Sequence, residues 1–344
     1  MYDELFSLPV YGLRRAEKED VYSRFLRSLS AHHYNSCEAY RRVADIIGID
    51  APLPARIFKD FDLLSVDRKE IVKTIVSSGT SGRQSKVFLD HPTAARQTKA
   101  LFKIVSDFIG TKRLPMLVID SPSLLEDRAA FSARAAGIMG FSIFGRDITY
   151  ALDRNMNLNI NVVENFLNAH RGEKILLFGF TYIIWLHLCE ALRREDKKLT
   201  IDGILIHGGG WKKLADLNIG NDRFKNEIKA LIGVERVHSY YGMAEQTGSI
   251  FMECEYSHLH CSIFSDIVIH DPLNFAALEK GRGVIECDSL LPTSSPSHRL
   301  LTEDEGELLG ADDCPCKRRG KYFAVYGRIK GAEMRGCGNT YERR

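Results

Sequence analysis

Ser77-Ser78-Gly79-Thr80-Ser81-Gly82-Arg83-Gln84-Ser85-Lys86 is the stretch on which the reading of the fold turns, because seven of its ten residues are glycine or carry a hydroxyl. Two glycines let the backbone turn its amides toward an anion. Ser77, Ser78, Thr80 and Ser81 add donors, and Arg83 and Lys86 bring positive charge where a polyphosphate would lie. The preceding Ile71-Val72-Lys73-Thr74-Ile75-Val76 is β-branched and predicts a strand that feeds this loop. No Gly-Lys-Ser/Thr triplet closes the loop and no helical pattern starts at once after it, so it is not a Walker A loop.

Working outward, apolar residues recur at helical spacing between Asp20 and Ile47 (Val21, Phe25, Leu29, then Tyr40, Val43, Ile46, Ile47), and Gly48 ends the pattern. Beyond the loop the pattern alternates. It predicts helices over 92–110, around 125–139, and over 159–171, 181–195 and 222–232, with strands over 115–120, 174–178 and 201–206. Strand and helix in alternation imply right-handed crossovers and an α/β fold with a mostly parallel sheet covered on both faces. From about residue 250 the texture changes to short β-like runs at 263–269, 283–287 and 322–325, which reads as a smaller β-rich lobe. The expected organisation is a helical packing region over 1–70, a large domain over 71–326 with its β-rich lobe from about 250, and a hinge and short tail over 327–344.

Composition narrows the function classes. A chain of 344 residues with 44% apolar content can bury a large core, and a net charge of +2 without like-charge blocks before Arg343-Arg344 gives no footing for nucleic acid or a membrane surface. The longest apolar stretch, 175–189, is interrupted by Gly179, Thr181 and His187 and is too short to span a bilayer. No amino-terminal segment has the order of a signal peptide. Eight cysteines without an export signal point to reduced thiols, metal ligands or chemistry, and to a cytoplasmic protein.

Two segments fall where an α/β sheet binds ligands, just past the carboxyl ends of strands. In Ile204-Leu205-Ile206-His207-Gly208-Gly209-Gly210-Trp211-Lys212-Lys213 the three glycines let a flat ring approach the backbone, although the same residues also suit a tight strand-to-helix turn. Val237-His238-Ser239-Tyr240-Tyr241-Gly242-Met243-Ala244-Glu245-Gln246-Thr247-Gly248 sets a stackable tyrosine four residues before a carboxylate. A base could lie on Tyr241 while Glu245 holds a magnesium ion; read alone, the segment is equally a buried tyrosine pair with a solvated glutamate. Cys254, His260, Cys314 and Cys316 make three thiolates and one imidazole, the closed tetrahedral set that structural zinc prefers, with His258 and Cys261 as alternative ligands and ordinary buried free cysteines as the competing reading. Cys337, flanked by Gly336 and Gly338 with Arg335, Arg343 and Arg344 nearby, is a reachable thiol whose pKa those cations would lower. Phe108, Phe178, Phe180, Trp185 and Trp211 are candidates for an apolar acid pocket, or for plain core.

Taken in order, the Ser-Ser-Gly-Thr-Ser-Gly loop, the Gly-Gly-Gly turn, Tyr-Gly-x-x-Glu, Leu301-Thr302-Glu303-Asp304-Glu305-Gly306, Tyr326-Gly327-Arg328-Ile329-Lys330-Gly331 and Arg335-Gly336 resemble the adenylate-forming superfamily over residues 77 to 341. His-Gly-Gly-Gly-Trp-Lys, Tyr-Gly-Met-x-Glu-Gln-Thr-Gly and the ending Gly-Arg-Ile-Lys-Gly-Ala-Glu-Met-Arg-Gly-Cys-Gly-Asn look like the LuxE-type acyl-protein synthetases, relatives of the phenylacetate-CoA ligase branch. This resemblance implies the large domain of an adenylate-forming enzyme, with ATP, magnesium and a structural zinc, the Cys, His and Cys-x-Cys set having counterparts in the phenylacetate-CoA ligase branch. It implies that Ser77, Ser78, Gly79, Thr80, Ser81, Gly82 and Lys86 grip the β- and γ-phosphates, and that Gly208, Gly209, Gly210, Tyr241 and Gly242 flank adenine. Glu245 would ligate magnesium, Asp304 would take the ribose hydroxyls, Arg328 would contact the ribose-phosphate side, and Cys337 would carry the acyl group. The implied reaction joins a carboxylic acid to AMP and passes it to a thiol, on Cys337 or on an acyl-accepting reductase or carrier. A CoA ligase and a non-catalytic nucleotide-binding module are the alternatives.

Two departures from the superfamily pattern stand out. Ala244 occupies the place of a threonine that donates to the α-phosphate, so the expectation is either that Thr247 or Ser249 substitutes or that adenylation is slower. The usual further carboxy-terminal lobe of about a hundred residues, which carries an assisting lysine, has no counterpart after Gly327-Arg328. Arg83, Lys86, Lys212 or Lys330, or a partner protein, would then supply the charge.

Overall fold

The computed structural model describes residues 2–77, 84–125, 133–209 and 219–329. They fall into two compact units, one drawn from Met1–Phe108 and Tyr241–Met334, the other with its described residues in Ile109–Tyr240.

In the unit drawn from Ile109–Tyr240, strands run in the order Gly145–Tyr150, Leu114–Ile119, Ile175–Phe180, Gly203–Gly208 and Arg236–Tyr241, every neighbouring pair parallel. Ile175–Phe180 and Gly203–Gly208 are buried along their whole length, as expected of central strands with helices on both faces. Helices Ala133–Phe141, Ile160–Ala169 and Asn221–Ile232 are joined by Thr181–Arg194, whose middle widens into a π-helical turn at Ile184–Cys189. Asn159 starts one of them by accepting a hydrogen bond from the Val162 amide at 3.2 Å. Phe178 is fully buried and stacks on Phe141 at 4.4 Å, Phe180 is buried, and Trp185 is buried beside Phe224. These three are therefore core.

The other unit is antiparallel where the first is parallel. Its strands run Ala277–Leu278, Ser265–His270, Arg282–Ser289, Arg299–Ala311, Lys321–Arg328, Leu259–His260 and Phe251–Glu253, and Leu53–Pro54 pairs parallel to the long strand at Leu300 and Leu301. A separate hairpin joins Ile71–Val76 to Lys86–Asp90. Helices Arg15–Ser36, Glu38–Ile47 and His91–Ile109 complete the unit. Tyr40, Phe58, Leu63 and Leu53 share one core cluster with Ile75, Val87 and Leu89 of the hairpin and with Leu300. Burying a side chain such as Phe58, 1% exposed, stabilises by about 2 kcal/mol, so the early helices hold the hairpin in place.

Among the described residues no helix is long and apolar enough to cross a membrane.

Candidate nucleotide and metal sites

The hairpin narrows onto its loop with Val76 opposite Lys86. The Ser77 amide donates to the Ser85 carbonyl at 3.0 Å, and the Ser85 amide donates to Ser77 Oγ at 2.9 Å. In the second bond the Ser77 hydroxyl oxygen is the acceptor, which ties it to the loop's neck. Lys86 is exposed at the same place. Ser78, Gly79, Thr80, Ser81, Gly82 and Arg83 lie outside the described residues, as do Gly210, Trp211, Lys212, Lys330 and Cys337.

Glu245 sits in a single 3-10 turn, Ala244–Gln246, that packs on both strands of this hairpin. Met243 and Ala244 rest on the cluster containing Ile75, Val87 and Leu89, which anchors the turn from below. The Glu245 side chain is 4% exposed, and its Oε1 is buried with no hydrogen-bond partner among the described residues. A buried carboxylate oxygen without a donor costs several kcal/mol unless a cation meets it. The hydroxyl-rich hairpin and the motif glutamate thus belong to one neighbourhood.

Tyr241, Asp304 and Arg328 also come together. The Tyr241 hydroxyl donates to Asp304 Oδ2 at 2.7 Å, Arg328 Nε lies 3.2 Å from Asp304 Oδ1, and Arg328 also pairs with Glu303. Asp304 and Arg328 face each other across the sheet, which fixes the pair by strand register. Burial, and then the neighbouring Asp304 charge, push the Tyr241 hydroxyl well above its usual pKa, so it remains a donor at neutral pH. Gly242, next in sequence, is exposed.

Gly208 ends its strand opposite Tyr240, whose ring occupies the space that a Cβ on Gly208 would need. Gly209 follows at φ +97°, a conformation that side chains disfavour. Thr181 Oγ1 donates to the Gly208 carbonyl at 3.0 Å and meets His207 Nδ1 at 2.9 Å. These two glycines have a backbone reason to be glycine whatever ligand they meet.

The ligand atoms of Cys254, His260, Cys314 and Cys316 lie within 4.8 Å of one another. Cys254 Sγ is 3.9 Å from Cys314 Sγ, and Cys316 Sγ is 3.3 Å from His260 Nε2. Zinc–sulfur bonds of about 2.3 Å at tetrahedral angles put sulfurs about 3.8 Å apart, with sulfur–nitrogen pairs somewhat closer, so these two pairs stand near the spacing an ion would impose. Burial raises the Cys314 thiol to about 12, and burial with the nearby Arg318 charge lowers His260 to about 4. Both are uncharged donors at neutral pH, and a divalent ion would draw off the thiol protons.

Four expectations change. Ser249 Oγ is buried against Ser289 Oγ at 2.5 Å and Thr247 Oγ1 donates to Gln97 at 2.7 Å, so neither hydroxyl stands in for the missing threonine at Ala244. Cys261 is not a fourth-ligand alternative; it is 1% exposed in the apolar cluster of Phe251 and Phe323 and its thiol bonds Asp266. His258 Nδ1 also reaches Cys314 Sγ at 3.4 Å, but the ligand atoms that all converge within 4.8 Å of one another are those of Cys254, His260, Cys314 and Cys316, which leaves His258 outside the set. Phe108 is buried under the Arg318 guanidinium, 3.8 Å from its ring centre, and so packs as core, the second of its two expected roles.

Comparison with known proteins bears on the whole chain. Residues 1–344 match the model of the family described as acyl-protein synthetase, LuxE. The chain belongs to the LuxE acyl-protein synthetase family. A Vibrio harveyi relative, long-chain-fatty-acid--luciferin-component ligase, is 24% identical, with 93% of this chain and 87% of the relative covered. An open-conformation crystal structure of 2-hydroxyisobutyryl-CoA ligase with its acyl-AMP and CoA superposes with a TM-score of 0.68 at 16% identity, covering 94% of this chain and 77% of that one. The same ligase in its thioesterification state gives 0.66 at 17% identity over 93% and 70%. At such identities the likeness shows the fold, that of an adenylate-forming ligase. As a LuxE family member the chain is a ligase that activates a carboxylic acid as an acyl-adenylate and passes the acyl group to a thiol as a thioester.

Sequence reading missed the nine residues 290–298, Leu-Leu-Pro-Thr-Ser-Ser-Pro-Ser-His, which look like an exposed turn and are buried nearly throughout. Prolines and hydroxyls ordinarily mark surface loops. Here Ser294 Oγ and Ser295 Oγ donate to the Phe88 carbonyl at 2.7 and 3.2 Å. The signal available was the density of hydroxyls, each able to satisfy a buried carbonyl.

Proposed function

We propose that this LuxE family member activates a long-chain fatty acid, the substrate class named for its Vibrio harveyi relative, and hands it on as a protein thioester. The observation that carries the site assignment is Glu245 Oε1, buried without a hydrogen-bond partner among the described residues, on a turn packed against the hydroxyl-rich hairpin. In this reading Ser77 to Gly82 with Lys86 grip the β- and γ-phosphates, Asp304 takes the ribose hydroxyls, and Arg328 contacts the ribose-phosphate side. Gly208 to Gly210, Tyr241 and Gly242 keep the adenine role that the family pattern gives them. A magnesium ion held by Glu245 would neutralise charge on the phosphates. Residues 71–326 form the catalytic body, braced by the helices of 1–70, and 327–344 act as hinge and tail.

The chemistry needs positioning and charge more than acid–base groups. One carboxylate oxygen of the acid attacks the α-phosphorus, the bond to the β-phosphate oxygen breaks, and pyrophosphate leaves with that electron pair. The thiolate of Cys337 then attacks the acyl carbon and AMP leaves, the thiol proton having gone to solvent. An acyl-accepting protein takes the group onward by the same exchange. Of the cations Arg83, Lys86, Lys212 and Lys330 proposed to supply charge at the phosphates, Lys86 is the one that lies among the described residues, exposed beside the loop. Cys254, His260, Cys314 and Cys316 hold a structural zinc, with four protein ligands leaving no open position. A reducing, cytoplasmic setting suits the seven unpaired cysteines among the described residues.

The test is ATP–pyrophosphate exchange across fatty, aryl and short polar acids, followed by intact-mass measurement of the protein. Long-chain acids should support exchange best and add one acyl mass, and Cys337→Ser should keep exchange while losing the added mass. Acyl-CoA formation with no acylated protein would make CoA the acceptor instead.

A further inference from the structure

Gln246 follows the motif glutamate and is 2% exposed, yet no role has been given to it. Its Nε2 donates to the Cys287 carbonyl at 2.9 Å and to the Ser297 carbonyl at 2.7 Å. Two carbonyl acceptors around one atom require that atom to be the amide nitrogen, so the orientation of the side chain follows from chemistry. Both N–H protons are thereby spent on backbone from two different elements: the strand Arg282–Ser289 and the buried segment 290–298. A turn of three residues has little rigidity of its own, and these bonds fix it in addition to its hairpin contact.

The same buried segment reaches the hairpin. Ser294 and Ser295 hold the Phe88 carbonyl, and the Ser65 amide donates to the Ser294 carbonyl at 2.8 Å. It is pinned in turn by Thr293, whose Oγ1 meets Thr93 Oγ1 at 2.8 Å and accepts from Arg96. One segment therefore carries the strand that leads out of the loop and also the carbonyl that clasps the residue after Glu245.

We propose that Gln246 is a positioning residue, whose amide, clasped by the Cys287 and Ser297 carbonyls, aims the Glu245 carboxylate at the metal of the nucleotide, with segment 290–298 setting the spacing between that carboxylate and the phosphate-gripping hairpin. This rests on the reading of Glu245 as the metal carboxylate. Gln246 touches neither nucleotide nor acid. Its effect passes through Glu245, as the outer partners of metal ligands act elsewhere, where their removal costs 10- to 100-fold in affinity.

The experiment measures Mn2+ affinity by electron paramagnetic resonance with α,β-methylene-ATP, which needs no turnover. Gln246→Met deletes both donors at similar volume, and Gln246→Glu turns an acceptor against two carbonyls. Metal affinity should fall about tenfold in the first and further in the second, while metal-free binding of the analogue changes less than about threefold. Ser294→Ala combined with Ser295→Ala, which loosens the segment without touching the turn, should weaken metal binding about threefold and decides the matter if the Gln246 variants do not fold. Folded Gln246 variants with parental Mn2+ affinity, beside a Glu245→Gln variant that has lost it, overturn the positioning role and leave the Glu245 reading standing. Parental affinity in Glu245→Gln itself overturns both.

Discussion

Two clusters of buried polar side chains in the same unit have opposite character. Cys254, His260, Cys314 and Cys316 converge on one another, with every ligand atom within 4.8 Å of the rest. Glu245 points an oxygen at no other protein group among the described residues. A closed set fills a metal's coordination shell and has nothing left to offer a substrate, whereas a single carboxylate leaves positions for phosphate oxygens and water. In the proposed function the first is a clasp that stabilises the fold and the second a grip that works during turnover, and each half of that reading can be broken experimentally.

The largest effect should come from the open site. Glu245→Ala is expected to lower carboxylate-dependent pyrophosphate exchange about a thousandfold, near 4 kcal/mol of lost transition-state stabilisation, with the thermal midpoint held within a few degrees because an unpaired buried carboxylate is no asset to the fold. Exchange at more than a tenth of the parental rate would remove Glu245 from the chemistry. The closed site should show the reverse. Cys314→Ser should lose its zinc by elemental analysis and about 3 kcal/mol of stability, while any protein that remains folded adenylates at near the parental rate. Zinc content unchanged by the substitution, or nil in the parent, would dissolve the contrast.

A third, smaller effect concerns the buried segment 290–298 that bonds both the hairpin and the turn carrying Glu245. His298 closes it, 1% exposed, and stacks on the fully buried His33 at 4.9 Å. Burial, then the adjacent Arg299 charge, hold His298 at about 3, and burial with the neighbouring His298 and His32 lowers His33 well below 6.5. Ser30 and Ser65 bond the two rings, Tyr40 faces both, and Glu286 is the nearby acid. Both histidines are neutral when folded and free to protonate when unfolded, so their contribution is intact above pH 6.5 and declines as pH falls below it, for His298 down to about 3. The loss is about 1.4 kcal/mol per pH unit for each ring. Urea midpoints taken from pH 7 to pH 5 should fall more steeply in the parent than in His298→Gln, and parallel slopes would mean that the ring is not the titrating group.

How far the sequence foretold this contrast depends on the kind of element. The parallel strands announced themselves because Ile175–Phe180 and Gly203–Gly208 are continuous apolar runs, buried on both faces. Arg299–Ala311 did not, since Glu303, Asp304, Glu305 and Glu307 disfavour a strand by composition, although they sit on its partly exposed positions. Gly145–Tyr150 was invisible for a related reason, being an edge strand with little buried surface. Motif order brought together Tyr241, Asp304 and Arg328 and located Glu245 near the hairpin. Spacing could not reveal that Thr247 and Ser249 are already bonded, or that a proline- and serine-rich stretch is core. Those facts depend on what lies opposite in space, as do the exposures of Ile46 at 85% and Ile47 at 45%, which the helical period had assigned inward.

The smallest effect tests the nucleotide end of the open site. Tyr241→Phe removes one hydrogen bond to Asp304 and leaves the contact of Asp304 with Arg328 in place. A bond to a charged acceptor in a partly buried place is worth about 1 kcal/mol, so the KM for ATP should rise about fivefold with kcat for exchange nearly unchanged. If Asp304 takes the ribose hydroxyls, its looser carboxylate should matter less for a nucleotide that lacks one of them. The parent should therefore discriminate more strongly than Tyr241→Phe between ATP and 2′-deoxy-ATP. An equal loss on both nucleotides would show that the Tyr241 hydroxyl braces the sheet and that Asp304 faces something other than the sugar.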